Sequence, residues 1–374
     1  MQNFAASKAP LWVGKGPTAA ASTVVCRAST SRSHSSLRCG IESEAVAGRR
    51  TVCSVALGAL RQVAGVKGER AGGCGGGGGG RFGSRRSFVT RPGAWDICRE
   101  TVRSRDMDNM LCLAFLPSKI QGACLALRAF NVEIGSAADK AKDPKMAEMR
   151  LVWWMQALEN IERGTPPSHP VAEALAGSLS EFPGMDVNMM RSMVEWRIKD
   201  LKGLQPATID ALELYAEGTQ TAMLNLTLQC MGEFDDKEGN VKAASHIGQA
   251  TGLALLLKGT RYHAMRNRIY LPKTVTSANE LNLGSLARCQ PSQELSQCVY
   301  EVAMEAKRHL ELAREMPTSK QARPALLPAT LTTLYLEDLE RFDYDVMNPF
   351  FHLPGSGRVK MQMRLMKNSL LGRF

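Results

Sequence analysis

The stretch Ala244–Pro272, ASHIGQATGLALLLKGTRYHAMRNRIYLP, predicts one long apolar helix that ends in a basic turn. Five small or uncharged residues recur along it at steps of four, three, four and four, so they lie on one face of the helix: Gly248, Gly252, Leu255, Gly259 and His263. Small residues at this spacing either line a cavity or let a neighbouring helix pack closely. The sequence leaves both interpretations open.

A second amphipathic helix is predicted after Pro117, which sets a helix start. Its buried face consists of apolar residues at helical spacing: Ile120, Cys124, Leu127, Phe130 and Ile134. Further helices are predicted from Trp95 and over residues 189–202, 206–231 and 295–315. No strand-like alternation and no GxGxxG, GxxxxGK[ST], GxSxG or HExxH motif occurs. We therefore predict one all-α domain over residues 95–350, with small and apolar residues around a central cavity.

Most of the positive charge lies near the N-terminus. The 374 residues carry a formal charge of +11, but residues 1–90 hold 13 Lys or Arg and 3 Glu, so only +1 remains for the rest. This composition is typical of an organelle transit peptide. We predict that residues 1–88 are a disordered transit peptide with a Gly-rich linker, cleaved near Phe88 in a mitochondrial processing context. The alternatives are a plastid transit peptide and a disordered tail without a targeting role. Nucleic-acid binding is disfavoured because cleavage of the leader removes most of the positive charge.

The cysteines beyond the leader show no CxxC pair and no His at metal-ligand spacing. They are predicted to be buried thiols in a reducing compartment: Cys98, Cys112, Cys124, Cys230, Cys289 and Cys298. No apolar run reaches the ~18 residues that a membrane-spanning helix needs.

Two segments resemble the signature helices of the squalene/phytoene synthase family. The first matches the family at FLP (residues 115–117), Ala126, Ala129 and Phe130. The second matches it at several positions of the helix and of its closing motif: Gly248, Ala250, Leu253, Leu257, Arg268, Tyr270, Leu271 and Pro272. The likeness runs in order over about residues 106–350 and implies the isoprenoid-synthase type I fold around a central cavity.

The resemblance also implies where metal-binding aspartates belong, and this chain departs there. The first set of positions holds Gly135, Ser136 and Asp139, so one carboxylate of that set survives, and the second set holds Gly259 and His263. Carboxylates at these positions bind the Mg²⁺ that holds a diphosphate, so their loss predicts no catalytic residue, no metal and no cofactor. The other cavity-lining positions that the resemblance implies are Glu133, Tyr215, Gly248, Gly252, Leu255, Arg268 and Tyr270.

Within this family the chain resembles a branch that acts in the assembly of mitochondrial respiratory complex I. The shared segments are RAFNVE at 128–133, HPVAEAL at 169–175, ASHIGQATG at 244–252, RYHAMRNRIYLP at 261–272 and YLEDLE at 335–340. The resemblance implies a non-catalytic, matrix-side factor that contacts assembly intermediates, in particular the membrane-arm quinone-site module. A hydrophobic or isoprenoid ligand in the cavity is a further expectation. The alternative is an active Mg²⁺-dependent prenyltransferase of isoprenoid biosynthesis.

Residues 351–374 form a basic tail. From residue 353 onward the tail contains no acid and five basic residues: Arg358, Lys360, Arg364, Lys367 and Arg373. Its apolar residues recur at steps of four, three and four: Val359, Met363, Met366 and Leu370. This layout predicts an interfacial helix in peripheral contact with the inner membrane, and a disordered or core-docking terminus is the alternative. The preceding acids Glu337 and Asp338 are predicted to be surface or capping residues.

Overall fold

The computed structural model describes residues 93–141, 143–234, 239–353, 355 and 357–374, and the predicted leader at 1–88 lies outside these ranges. The helices are α1 Ala94–Arg105, α2 Met107–Leu113, α3 Ser118–Gly135, α4 Pro144–Glu162, α5 Pro170–Glu181, α6 Val187–Asp200, α7 Ile209–Ala216, a π-helix Glu217–Thr221, α8 Ala222–Met231, α9 Asn240–Lys258, α10 Thr260–Ala264, α11 Lys273–Ala278, α12 Leu283–Ala287, α13 Gln293–Glu315, α14 Arg323–Leu326, α15 Pro328–Arg341, a 3₁₀ helix Pro349–His352 and α16 Arg358–Leu370.

The all-α prediction is confirmed, since the described ranges contain helices and no strand. Helix α3 begins directly after Pro117, and every residue of its predicted apolar face is buried: Ile120, Cys124, Leu127, Phe130 and Ile134. None of the described helices is both long enough and apolar enough to cross a membrane.

Two buried clusters of apolar side chains make up most of the core. One joins α1 and α3–α6 to one face of α8, and the other gathers α9, α13 and α15 against the opposite face of α8. Helix α9 contacts α7, the π-helix, α8, α13 and α15. It is therefore the element around which the second cluster is built.

The predicted helix, whose stripe of small residues runs to His263 before a basic turn, is interrupted after Lys258. Helix α9 ends there, and α10 is a separate helix that ends at Ala264. A turn follows, in which Asn267 adopts a left-handed backbone with φ of 54°. Asn tolerates this conformation better than most residues. Pro272 closes the segment because proline cannot continue a helix, and α11 begins after it.

The two glycines in the middle of α9 are packing residues. A Cβ at Gly252 would lie 2.2 Å from Cβ of Ala216, and a Cβ at Gly248 would lie 2.1 Å from Oγ1 of Thr221. Real Cβ atoms do not approach other atoms this closely, so α9 meets α7 and the π-helix backbone to backbone. Of the two interpretations of the small-residue stripe, close packing holds for Gly248 and Gly252.

Helix α16 is formed in the predicted tail, and it packs against α15 through a face that the sequence did not indicate. Met361 and Leu365 are buried in a cluster with Leu327 and Leu334. Ion pairs join Lys360 to Asp338 at 2.8 Å and Arg364 to Glu337 at 3.1 Å. The predicted apolar face lies outside this contact, with exposed fractions of 60%, 66%, 47% and 84% for Val359, Met363, Met366 and Leu370.

The packing of Gly252 gives a direct test of the fold. Gly252→Ala should lower the free energy of unfolding by about 1–3 kcal/mol, because a methyl group forces α9 away from Ala216. Gly184→Ala is the matched control, since a Cβ at Gly184 meets nothing within 4 Å. Chemical denaturation followed by circular dichroism measures both. If the two variants unfold at the same denaturant concentration, the contact between α9 and α7 is looser than described.

Candidate functional site

A cavity of about 340 Å³ lies where the end of α3, the end of α6, α7 and the segment 256–270 meet. Six of the residues singled out from the sequence line it: Gly135, Asp139, Tyr215, His263, Arg268 and Tyr270. The two degenerate aspartate positions therefore border one cavity, Asp139 from the α3 side and His263 from the α10 side. The turn at residues 265–267 leads from α10 into the segment 268–270, and His263, Arg268 and Tyr270 on either side of it all border the cavity.

The other sequence-predicted positions lie elsewhere, each for a local reason. Ser136 is buried and its hydroxyl donates to the carbonyl of Val132 at 2.6 Å. Glu133 accepts two hydrogen bonds of 2.9 Å from Lys140. Gly248 and Gly252 face α7 and the π-helix, as described above.

Leu255 and Gly259 are also outside the cavity. Leu255 is 45% exposed and lines a separate groove beside α15 and the 3₁₀ helix. A Cβ at Gly259 would lie 2.8 Å from the ring of His263, so this position leaves room for that ring. The residues that the sequence places on one helix face therefore have different surroundings. Gly248 and Gly252 lie in a packing contact, Leu255 lines a groove, and His263 borders the cavity.

A hydrogen bond joins the two degenerate motifs across the cavity. The hydroxyl of Tyr262 donates to Oδ1 of Asp139. The guanidinium of Arg266 lies 3.6 Å from the ring centroid of Tyr262 and holds that ring in place by a cation–π contact. Burial, together with this bond, raises the pKa of Tyr262, so it acts as a neutral donor. The last carboxylate of the first motif is therefore already engaged by a protein side chain.

Asp200 is the centre of a second polar network. It accepts from the hydroxyl of Tyr270 at 2.8 Å through both carboxylate oxygens, and Nη1 of Arg268 lies 3.8 Å from Oδ2. Arg268 also donates to the carbonyl of Asp200 at 3.3 Å. Burial and the neighbouring Asp200 raise the pKa of Tyr270. These bonds fasten the closing motif to the C-terminal end of α6.

Arg197 brings a further cation to the cavity wall. Its guanidinium donates to the hydroxyl of Tyr215 and lies 5.4 Å from that ring's centroid, while its buried Nε has no hydrogen-bond partner among the described residues. Burial raises the pKa of Tyr215, so this hydroxyl stays protonated and does not neutralise Arg197. Gly135 lies beside this guanidinium, and a Cβ there would be in ordinary contact with Nη2 of Arg197 at 3.7 Å.

His263 is a neutral aromatic wall of the cavity. Its ring meets the ring of Tyr270 edge to face at a centroid distance of 4.5 Å. Burial lowers the pKa of His263 to about 4, so the imidazole carries no charge near neutral pH. A neutral imidazole stands where the second aspartate cluster would place a carboxylate.

Sequence reasoning missed several residues that shape this cavity: Asp143, Arg197, Asp200, Tyr262 and Arg266. Asp200 and Tyr270 are 70 residues apart, and the spacing of Arg197 and Asp200 on α6 looks like that of any solvated helix face. Asp143 follows Asp139 by four residues, and this spacing in the sequence could have marked it as a candidate site residue. In the structure, however, Asp143 caps α4 by accepting from the backbone of Lys145 at 2.7 Å.

The donor set does not fit the Mg²⁺–diphosphate centre of a synthase. Such a centre needs carboxylates gathered on both sides of the cavity with lone pairs free for metal. Here Asp139 accepts from Tyr262, Asp200 is bound by Tyr270 and Arg268, and Asp143 caps a helix. Within the described residues these three carboxylates do not converge on a common point that an ion could occupy.

Comparisons with known proteins identify the family to which this chain belongs. The squalene/phytoene synthase family matches residues 102–364. NADH dehydrogenase (ubiquinone) complex I, assembly factor 6 of Homo sapiens is 32% identical over 265 residues, which covers 69% of this chain and 78% of that protein. The chloroplastic phytoene synthase 1 of Arabidopsis thaliana is 26% identical over 185 residues, covering 48% of this chain and 43% of that enzyme.

A solved dehydrosqualene synthase in complex with a ligand superimposes with a TM-score of 0.63 at 20% identity, covering 73% of this chain and 95% of that one. This likeness shows that the helices adopt the isoprenoid-synthase fold expected from the sequence. The chain belongs to the squalene/phytoene synthase family, and over most of its described part it is similar to proteins named complex I assembly factor 6.

Proposed function

We propose that this protein is a non-catalytic assembly factor for mitochondrial respiratory complex I, built on a synthase fold that no longer binds Mg²⁺-diphosphate. The proposal depends on one observation. Residues without a carboxylate stand at positions where the family resemblance implies metal-binding aspartates: Gly135, Ser136, Gly259 and His263. The similarity to complex I assembly factor 6 of Homo sapiens supports the same conclusion.

Electrostatics supports the non-catalytic interpretation. A diphosphate carries several negative charges, and in a partly enclosed cavity these need metal ions or unpaired cations to offset them. Three aspartates and three arginines line this cavity, so their formal charges cancel: Asp139, Asp143, Asp200, Arg197, Arg266 and Arg268. The lining therefore carries no net positive formal charge to offset a diphosphate.

The second candidate function is a Mg²⁺-dependent prenyltransferase of the squalene or phytoene synthase kind. The similarity to phytoene synthase 1 of Arabidopsis thaliana favours it, as does the retention of Asp139 beside a cavity that still exists. For this function Asp139 has to break its hydrogen bond with Tyr262 and bind the metal ion alone, because neither Gly135 nor Ser136 has a carboxylate side chain.

The partners follow from the proposed role. We propose that the protein contacts complex I assembly intermediates of the membrane-arm quinone-site module, on the matrix side of the inner membrane. Residues 1–88 serve as its mitochondrial transit peptide, with a plastid address as the alternative. The apolar part of the cavity wall, which includes Ile134, Leu151 and Leu256, suits a hydrophobic or isoprenoid ligand.

Peripheral contact with the inner membrane is assigned to α16. Lys360 and Arg364 are paired with acids of α15, so they are less available for lipid headgroups than unpaired basic residues. The apolar residues of the predicted face and the basic residues Arg358, Lys367 and Arg373 are exposed, and the last of them lies just beyond the end of this helix. Apolar insertion, assisted by basic residues near anionic lipid, gives weak and reversible binding.

Loss of this protein is expected to lower the amount of assembled complex I in mitochondria of the source cells. Re-expression of the wild-type chain should restore it, and so should Asp139→Asn, because an assembly role does not need the charge of this carboxylate. Native gels and NADH:ubiquinone oxidoreductase activity of mitochondrial membranes measure the recovery.

The Gly252→Leu variant is the control for loss of fold and should not restore complex I. Normal complex I in cells without the protein, together with loss of squalene- or phytoene-like products, would favour the prenyltransferase. Failure of Asp139→Asn alone to restore complex I would show that the charge at residue 139 is needed.

The double variant Met363→Glu and Leu370→Glu is expected to release protein beginning at Val89 from cardiolipin-containing liposomes. Burial of each apolar side chain contributes about 1.5–3 kcal/mol, so the partition coefficient should fall at least about tenfold. Leu204→Glu with Met265→Glu is the matched control, because both residues are exposed and the charge change is the same. Equal cosedimentation of the two double variants would remove α16 as the membrane contact.

A further inference from the structure

A compact cluster of two carboxylates and two imidazoles lies outside the cavity, at the junction of α7, α9 and α13. Nε2 of His309 on α13 lies 3.0 Å from Oε1 of Glu213 on α7 and 3.4 Å from Oε1 of Glu305 on α13. One ligand atom from each of these three residues lies within 4.8 Å of the other two. None of the three lines either cavity described above.

His246 on α9 fixes the orientation of His309. The Nδ1 atoms of the two rings are 2.9 Å apart, which is a hydrogen-bond distance, so one ring donates and the other accepts. His309 is 3% exposed, so its ring is held between these partners. Metal-binding histidines in proteins commonly have their second ring nitrogen held by such a partner, which sets the tautomer.

Arg308 is a cation that lies against this cluster. Its Nη2 is 3.3 Å from Nε2 of His309 and pairs with Oε1 of Glu305. Arg308 lies against Glu305 and its side chain is 53% exposed, so it can turn into solvent and release the carboxylate oxygen.

The separations are close to the edges of a small metal polyhedron. Zn–N and Zn–O bonds of about 2.0–2.2 Å in tetrahedral geometry place neighbouring ligand atoms about 3.3–3.5 Å apart. From His309 Nε2, the separation of 3.4 Å to Glu305 lies within this range and that of 3.0 Å to Glu213 is slightly shorter. Glu213 and Glu305 are 19% and 24% exposed, which leaves a fourth position open to water.

We propose that Glu213, Glu305 and His309 bind one divalent transition-metal ion of the Zn²⁺ class, with His246 as the positioning residue. One imidazole and two carboxylates give a mixed nitrogen and oxygen ligand set, for which Zn²⁺ binds more tightly than Mn²⁺ or Fe²⁺. The site links α7 to α13. It is separate from the Mg²⁺ positions of the synthases and does not depend on the proposed assembly role.

The experiment uses the full chain, stripped with a chelator and then titrated with Zn²⁺ alone. Bound zinc is counted after gel filtration, and the affinity is measured by competition with a chromophoric chelator. Wild type is compared with Glu213→Gln and Glu305→Gln, which keep side-chain shape, and with Glu311→Gln, an exposed acid on the same helix. Circular dichroism checks that each variant is folded.

Glu213→Gln and Glu305→Gln should each lose one equivalent of zinc relative to wild type, while Glu311→Gln retains it. His246→Gln should keep the stoichiometry but bind about 10- to 100-fold more weakly, the usual loss when the partner of a metal ligand is removed. The absorption spectrum of cobalt-loaded wild-type protein gives an independent readout. A Co²⁺ ion bound at the proposed site by nitrogen and oxygen ligands should show no thiolate charge-transfer band.

The proposal is overturned if the chain binds no zinc, since the cluster is then only a hydrogen-bonded network around His309. It is also overturned if all variants bind equally, or if the variant-sensitive equivalent shows a thiolate band, because cysteines would then supply the ligands.

Discussion

Helix α9 lies so close to α7 and the π-helix that neither Gly248 nor Gly252 has room for a Cβ. This contact is reinforced by the Glu217 carboxylate of the π-helix, which accepts from Ser245 at 2.9 Å and from Gln249 at 3.2 Å. A backbone contact of this kind fixes the separation and rotation of the two elements more tightly than interdigitated long side chains do. The positions of α13 and α15, which pack on the other sides of α9, depend on it.

The cavity is bordered by the segment that follows α9. In this segment Tyr262 on α10 donates to Asp139, and Tyr270, beyond the turn at residues 265–267, donates to Asp200. The one carboxylate that remains at the aspartate positions implied by the family resemblance, Asp139, is thereby bonded to a protein side chain. The fold of the synthases is kept, and the charge pattern within it is changed.

The sequence was sufficient for elements with strong periodicity and insufficient for contacts between distant elements. Helix α3 and its buried face followed from apolar spacing after Pro117. The glycine stripe was ambiguous because a small residue fits both a cavity wall and a close contact, and only the position of Ala216 distinguishes them. Asp200 and His309 were not found, since Tyr270 and Glu213, to which they are bonded, are distant in the sequence.

The central claim is that this synthase fold performs no prenyl transfer, and release of pyrophosphate tests it most directly. Protein beginning at Val89 is incubated with Mg²⁺ and farnesyl or geranylgeranyl diphosphate, and pyrophosphate is measured against a protein-free blank. The account predicts no release above the blank. Turnover of order 0.1–10 per second, within the ordinary range of enzymes, would contradict it.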